Sequence, residues 1–563
     1  MNLQDMKDQG LAPEWLTEPG YQTLCGGYLL PGESPRDAWR RVAVSAAAHL
    51  SKPEMADRFF QIMWNGWLCA ATPVLSNTGT ERGLPISCYS IHVDDSTDNI
   101  FTKNHELAML SKYGGGVGIY MGDIRAAGTK ISTGGTTEGL IPFAKVYDST
   151  IIGVSQGNMR RGAAAVYIPW SHGDISSFLR MRRPEGDVNR QCMNLHHGVC
   201  LDDTFFEKLK DGDEKTRELC TDIYKQRLET GEPYWFMSGN VRRNRPEAYV
   251  KNSLEVHTSN ICNEIYLHTD PDHSFVCCLS SMNLAKYHEW KDTDAVYTAT
   301  WFLEGVMTEF IKKAEGRPGF EAAVRHARKG RALGLGVLGW HTLLQSEMVA
   351  MDEFRSTILN RAIFKKMKEE ATRASKDMAK EYGEPLWCKG TGMRNTHLLA
   401  VAPTASNSII SGNVSAGIEP INANAYVKKT SKGTFIEFNP QLKTLLASKG
   451  KDDEQTWKII VENGGSVRAL DFLSEQEKAV FRTAFEIDQR VLIDLAGDRQ
   501  RYICQGQSLN LFFSADVDPQ YFHDVHMRAY ERGLNGLYYV RSSSVLRADI
   551  SSRSAEECIA CHA

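Results

Sequence analysis

The sequence predicts an α/β protein with a helical N-terminal part, and three features lead there. Residues 1 to about 70 carry apolar side chains at helical spacing. Short runs at 85–91 and 277–284 read as buried strands, and long amphipathic segments fill 300–390. With 563 residues, the chain has room for several domains or for one large barrel with additions.

Taken in order, residues 38–50 are alanine-rich, and 55–68 repeat the helical pattern with Phe59, Phe60, Met63, Trp64 and Trp67. That aromatic stripe reads as a packing face. Pro73 predicts an exit from helix. The run from Pro85 to Ile91 reads as a strand with Cys88 inside it, either a core thiol or a chemical one. Gly114-Gly115-Gly116 allows a tight turn or a close backbone approach to a nucleotide. It is not a P-loop, because no Gly-Lys-Ser/Thr follows. Residues 128–139 and 155–162 read as loops; Arg160 and Arg161 in the second suit either a solvated turn or an anion-binding fork.

Ser259-Asn260-Ile261-Cys262-Asn263-Glu264 is the most chemical stretch. If it is extended, Asn260, Cys262 and Glu264 share a face, because strand side chains alternate. An amide, a thiol and a carboxylate then aim at one point. The alternative is an inert buried thiol between a turn residue and a solvated charge. Cys277 and Cys278 are adjacent in a predicted strand, so at most one of them can look at the same point as Cys262. Residues 402–410 place Thr404, Ser406 and Asn407 at a helix start, where such groups cap free N–H groups or hold an anion. Tyr538-Tyr539 reads locally as strand packing.

Charged residues are 24% and net charge is −4, so no basic excess argues for nucleic acid or an anionic membrane as partner. The N-terminus lacks an apolar signal region, and no apolar run approaches the ~18 residues of a membrane span. These features predict a cytoplasmic protein whose 13 cysteines are not a disulfide framework. From Arg541 the chain is serine-rich and polar, reads as a flexible tail, and ends in Cys558-Ile559-Ala560-Cys561-His562. Haem attachment would need export, and a zinc site two more ligands; a CxxC redox pair needs only exposure. Such a tether reaches roughly 23 Å from Val540, enough to reduce a disulfide elsewhere on the protein or its neighbour.

Together these motifs resemble the large (α) subunit of class I ribonucleotide reductases. The resemblance runs through Thr72-Pro73 with Leu75-Ser76-Asn77, Ser87-Cys88, Lys112 to Gly118, Gln156-Gly157 with Arg160, Asn260 to Glu264, Cys277 with Asn283-Leu284, Pro403 to Ser406, Gly417 to Pro420, Gln507 to Asn510, Tyr538-Tyr539 and the terminal cysteine pair. It implies a ten-stranded α/β barrel of two five-stranded parallel halves packed antiparallel, with Cys262 on a central finger loop. The implied domains are a helical region at 1–80, the barrel at 81–540 and a redox tail at 541–563.

The resemblance also implies roles. Cys262 would form the thiyl radical, Glu264 act as base, and Asn260 hold the sugar hydroxyls. Cys88 and Cys277 would supply reducing equivalents, and Cys558 and Cys561 would renew them with thioredoxin or glutaredoxin. Thr72, Ser87, Gly116, Thr404, Ala405 and Ser406 would hold the ribonucleoside diphosphate. Asp95, Ser96, Arg125 and Arg160 would contact a nucleoside triphosphate effector, although the 129–137 loop lacks arginine. Tyr538 and Tyr539 would relay a radical from a dimetal-containing small subunit, with no metal or cofactor held in this chain. A homodimer is expected, and an N-terminal ATP-binding module is not, since about 70 residues precede Thr72. The alternatives are a cobalamin-dependent reductase, which needs no tyrosine relay, and an inactive reductase-like binder, which has no use for a tail dithiol.

Overall fold

The computed structural model describes residues 2–132, 134–154, 162–430 and 433–542. Arg160, Cys558 and Cys561 lie outside the described residues.

The N-terminal part is helical because its helices are well started and bury one face. Ser34 and Asp37 form a reciprocal cap on helix Pro35–His49, which also has proline in its first turn. Trp39, Val42, Ala43, Ala46 and Ala47 face inward. They pack with helix Ala56–Trp64 and with the long helix Ala295–Ala314, which is buried on nearly every side. The expected exit at Pro73 is instead an entry: Thr72–Asn77 is a short helix with proline in its first turn. Proline lacks only an N–H that this position leaves unused, so it opens a helix as readily as it closes one.

The sheet builds the site. Strand β1 (Leu68–Ala70) lies beside it. The first half is β2 (Cys88–His92), β3 (Gly116–Tyr120), β4 (Ala163–Pro169), β5 (Leu195–Leu201) and β6 (Tyr234–Met237), paired in parallel in that order. Helices Thr97–Lys112 and Leu140–Val154 connect its first strands, as parallel pairing requires. The second half starts with β7 (Phe275–Asn283), parallel to β8 (Leu333–Leu338). Parallel bridges Leu335↔Leu399 and Val401↔Gln507 continue it. A hairpin of β9 (Ala425–Thr430) and β10 (Gly433–Phe438) stands apart. Strand β11 (Leu511–Phe513) then pairs in parallel with β13 (Val540–Ser542), which follows β12 (Gly536–Leu537). The halves meet antiparallel at two seams, β2 on β7 and β6 on β12. The two halves and their antiparallel seams make the barrel that the resemblance implies.

Of the three apolar clusters among the described residues, one gathers Leu442, Trp457 and Phe481 away from the site, and the other two build the site's surroundings. The larger lies between the sheet and its helices. The other fills the barrel and includes Cys88, Cys262, Cys277, Tyr538 and Tyr539. Among the described residues, no helix is long and apolar enough to cross a membrane.

The chain between residues 254 and 269 has no regular structure and threads the barrel. Close contact with β3 requires glycine there: a Cβ on Gly118 would lie 1.9 Å from the Ser259 carbonyl oxygen, and one on Gly116 would lie 2.8 Å from Ile261 Cγ2. The extended run expected at Ser259–Glu264 is corrected here, because residues 261–263 turn and Asn263 has φ +57°. Asn260 causes the turn. Its Oδ1 accepts from the backbone N–H groups of Glu264 and Ile265, at 3.0 and 3.1 Å. Asparagine tolerates the left-handed conformation that Asn263 then adopts.

Candidate active site

The tip of this loop faces a partly open cleft. Ser87, Cys88, Gly116, Asn260, Cys262, Glu264, Cys277, Thr404 and Asn407 all line it. All nine are residues singled out from the sequence, drawn from five separate parts of the chain. The shared point is made by a turn rather than by strand alternation.

The cysteines are placed by strand register. Cys88 on β2 stands directly opposite Cys277 on β7. Residues so paired bring their Cβ atoms to roughly 4.5–5.5 Å, close enough for a disulfide after small adjustment. Both thiols are free in this structure. Cys278 points the other way and packs in the larger apolar cluster, as alternation predicts. Burial pushes the Cys88 and Cys277 thiols up, and the nearby Glu264 carboxylate adds to both. They are therefore proton-carrying thiols at rest.

Glu264 is almost fully buried, and burial raises its pKa to about 7. Three hydrogen bonds limit that rise. Asn260 Nδ2 donates to its Oε2 at 2.8 Å, the Ser508 hydroxyl donates at 3.1 Å, and its own backbone N–H contributes. A carboxyl poised near neutrality can exchange a proton at physiological pH. Ser508 also donates to the Cys262 carbonyl at 2.6 Å, and Gly506 N–H donates to the Glu264 carbonyl at 2.8 Å. The loop is thus pinned on both sides of its turn. Asn263 completes this by donating to the carbonyls of Trp235 and Leu537, each at 3.0 Å.

Tyr538 and Tyr539 lead away from Cys262. Their ring centroids are 4.3 Å apart, and both are buried. Burial raises the Tyr538 hydroxyl well above its usual value, with the neighbouring Cys262 adding to it. Tyr539 is pushed up to about 12 by burial and by the Glu232 carboxylate. Its hydroxyl lies 3.2 Å from His196 Nδ1, and the Arg541 guanidinium sits 4.7 Å over its ring.

The polar end of the cleft is less complete. Thr404 precedes helix Ala405–Ile410 in the left-handed region, with φ +52°. It does not cap that helix, as expected from sequence; its Oγ1 accepts from the Gly417 N–H at 2.8 Å instead. Ala405 and Ser406 open the helix, half-exposed and outside the lining of the cleft. Thr72 is held beside it, donating to Asn407 Oδ1 at 3.2 Å and bonded to the Tyr28 hydroxyl at 2.9 Å.

Elsewhere, Arg125 donates to Asp95 through Nε at 2.5 Å and through its backbone N–H at 3.2 Å. Ser96 is committed to capping helix Thr97–Lys112 and to donating to Asp94. Among the described residues, His268, Asp270 and His273 bring metal-ligating atoms within 4.8 Å of one another. Lys329 donates to His273 Nε2 at 2.7 Å, which leaves the Nδ1 proton for Asp270. That is a closed hydrogen-bond set rather than an open ligand set.

Sequence reasoning missed Ser508 as a partner of Glu264 and His196 beside Tyr539. Gln507 to Asn510 was a noted motif, so Ser508 had a signal without a role; nothing local marked His196.

The chain matches the family described as "Ribonucleotide reductase, all-alpha domain" over residues 14–83. It matches "Ribonucleotide reductase, barrel domain" over 86–216, 213–387 and 386–540. It is 39% identical to a putative ribonucleoside-diphosphate reductase large subunit of Frog virus 3, covering 91% of this chain and 93% of that protein. Identity to the ribonucleoside-diphosphate reductase large subunit of Invertebrate iridescent virus 3 is 34%, over 94% of each. The solved class Id ribonucleotide reductase alpha subunit of Actinobacillus ureae superposes with a TM-score of 0.88 at 40% identity, covering 95% of this chain and 99% of that one.

Proposed function

The chain belongs to the ribonucleotide reductase large-subunit family, and on that premise we propose how its side chains reduce a ribonucleoside diphosphate to the 2′-deoxyribonucleotide. Cys262 becomes a thiyl radical and takes the ribose 3′-hydrogen. Glu264 takes the 3′-hydroxyl proton as general base, while Asn260 holds the sugar hydroxyls. Cys88 and Cys277 supply two electrons and two protons, one that lets the 2′-hydroxyl leave as water and one that ends as hydrogen on C2′, and end as a disulfide; Cys262 then returns the 3′-hydrogen and is again a thiyl radical. The observation that carries this is the convergence of Cys88, Cys262, Cys277 and Glu264 on one cleft, with Cys88 facing Cys277.

Thr72, Ser87, Gly116, Thr404, Ala405 and Ser406 form the end that takes the diphosphate, supported by the helix start and the close-packed glycine strand. Tyr538 and Tyr539 carry an electron between Cys262 and the surface. The partner there is a dimetal-containing small subunit, which when bound supplies the one-electron oxidant. Cys558 and Cys561 return electrons to the active-site disulfide and take them from thioredoxin or glutaredoxin. The division at 1–80, 81–540 and 541–563 belongs to this reading. So do a cytoplasmic setting, a homodimer, and a nucleoside triphosphate effector at Asp95, Ser96, Arg125 and Arg160.

The test is conversion of CDP to dCDP with a small subunit, comparing the native chain with Cys262→Ser and Tyr539→Phe. Both substitutions are expected to abolish turnover; full turnover in both would refute the reading.

A further inference from the structure

Cys277 is held by more than its strand. Gln505 is fully buried and aims its amide nitrogen at the Cys277 sulfur, 3.6 Å away. The same nitrogen donates to the Leu333 carbonyl at 2.9 Å. Its two hydrogens are therefore assigned, one to a carbonyl and one to sulfur. Gln505 is itself clamped from behind. Its backbone carbonyl accepts from Gln500 Nε2 and from Asn535 Nδ2, each at 2.7 Å. The next residue, Gly506, ties this segment to the Glu264 carbonyl. The backbone of Gln505 is thus fixed, its side-chain oxygen is buried without a partner among the described residues, and the bond to the Leu333 carbonyl holds its amide nitrogen beside Cys277.

The two sulfurs of the facing pair are not equivalent. Both line the cleft, but Cys88 is 7% exposed and Cys277 1% exposed, so an incoming thiolate meets Cys88 first; Asn260 also hydrogen-bonds Cys88, so the order of attack rests on access while Gln505 serves the sulfur that leaves. In thiol–disulfide exchange, the sulfur whose thiolate is better stabilised leaves faster. A neutral N–H donor is strengthened when its acceptor becomes an anion.

We propose that Gln505 is a positioning residue that makes Cys277 the leaving sulfur when the Cys88–Cys277 disulfide is reduced. This rests on the reading above, in which these two cysteines form a disulfide in each turnover. A thiolate of a dithiol reductant attacks the Cys88 sulfur. The Cys88–Cys277 bond breaks as the new sulfur–sulfur bond forms on Cys88. Cys277 leaves with the electron pair as a thiolate, receives the Gln505 hydrogen bond, and is then protonated. The second thiolate of the dithiol attacks the incoming sulfur, frees Cys88 and closes the reductant's own disulfide. Two electrons pass from the dithiol to the chain.

The experiment uses the full chain, oxidised by turnover and then exposed to small thiols, so that neither the tail nor a protein reductant is needed. Reduction by dithiothreitol is followed by acid quench, alkylation and mass spectrometry; 2-mercaptoethanol traps the mixed disulfide. The native chain is expected to carry the adduct on Cys88. Gln505→Met is expected to slow reduction about 10-fold, the worth of one hydrogen bond to a charged sulfur, and to spread the adduct over both cysteines. Gln505→Glu keeps the shape. Protonated, it carries one hydrogen where the amide has two, so it is expected to fall between the native chain and Gln505→Met, and to fall progressively further behind as it ionises. A structural role alone would produce neither the redistribution nor that pH dependence. An adduct on Cys277 of the native chain, or variants within twofold of native at every pH with the adduct unmoved, would overturn the inference. Failure to find the Cys88–Cys277 disulfide after turnover would remove the reading and this inference together. A tail variant that still turns over with a protein reductant would count against the tail's role alone.

Discussion

Cys88 and Cys277 are register partners across the antiparallel seam that joins the two halves of the barrel. They are 189 positions apart in sequence but are fixed opposite each other by the fold. Each half-barrel contributes one of the two thiols, so the redox pair depends on correct pairing of the whole sheet.

The neighbouring cysteines separate chemistry from packing. Cys277→Ser is expected to lower multiple-turnover rates by at least about 100-fold, since serine cannot carry the two electrons. Cys278→Ser puts a hydroxyl into an apolar core and is expected to keep kcat within about threefold while destabilising the fold by ~1–2 kcal/mol. Steady-state assays and denaturant melts check both.

Glu264 sets the pH dependence. The base is active when ionised, so turnover is expected to rise with pH through about 7 with unit slope. Stability runs the opposite way. Burial raises the folded-state pKa from 4.5 to about 7, so the folded chain keeps a proton that the unfolded chain releases. The penalty is absent below pH 4.5, grows up to about pH 7, and is constant above it. At pH 8, Glu264→Gln is therefore expected to stabilise the chain by ~1–3 kcal/mol while abolishing turnover. Melts at pH 4 and pH 8 check the sign.

Ser508 buttresses this carboxylate. Ser508→Ala removes one donor to Glu264 and one to the Cys262 carbonyl. The rising limb of the pH–rate profile is expected to move alkaline by roughly half to one unit, and stability to fall by ~1–2 kcal/mol. An unmoved limb in the kinetic profile would count against the assignment.

Gly118 gives the loop its passage through the barrel. A methyl group there would overlap the Ser259 carbonyl. Gly118→Ala is expected to displace the Cys262 loop, cutting turnover by at least about 10-fold and stability by ~2 kcal/mol or more. Assay and thermal melt together check this; a fully active, equally stable variant contradicts the packing described.

Much of this was legible in the residues. The helical N-terminal part and the strand around Cys277 followed from periodicity; alternation said that only one of Cys277 and Cys278 could face Cys262, and the family resemblance, through the step to Asn283, said which. The turn at Asn263 was not legible, because the bonds that close it run from the Asn260 side chain to backbone N–H groups, which period-two patterning cannot register. Pro73 failed as a stop signal because proline suits the first turn of a helix as well as its end. The capping reading of Thr404 failed because its partner, the Gly417 N–H, comes from a separate loop. Ser508 and Gln505 were invisible as partners, since each acts on a residue more than 200 positions away. Long-range pairing of this kind is fixed only by the barrel.

The most direct test is a disulfide map after a single turnover. The reduced chain, with a small subunit and CDP, is quenched and alkylated after one equivalent of dCDP forms. The account predicts one Cys88–Cys277 disulfide per dCDP, with Cys278 fully alkylated. One equivalent of dCDP with Cys88 and Cys277 both still alkylated, or with a disulfide through Cys278, would contradict it.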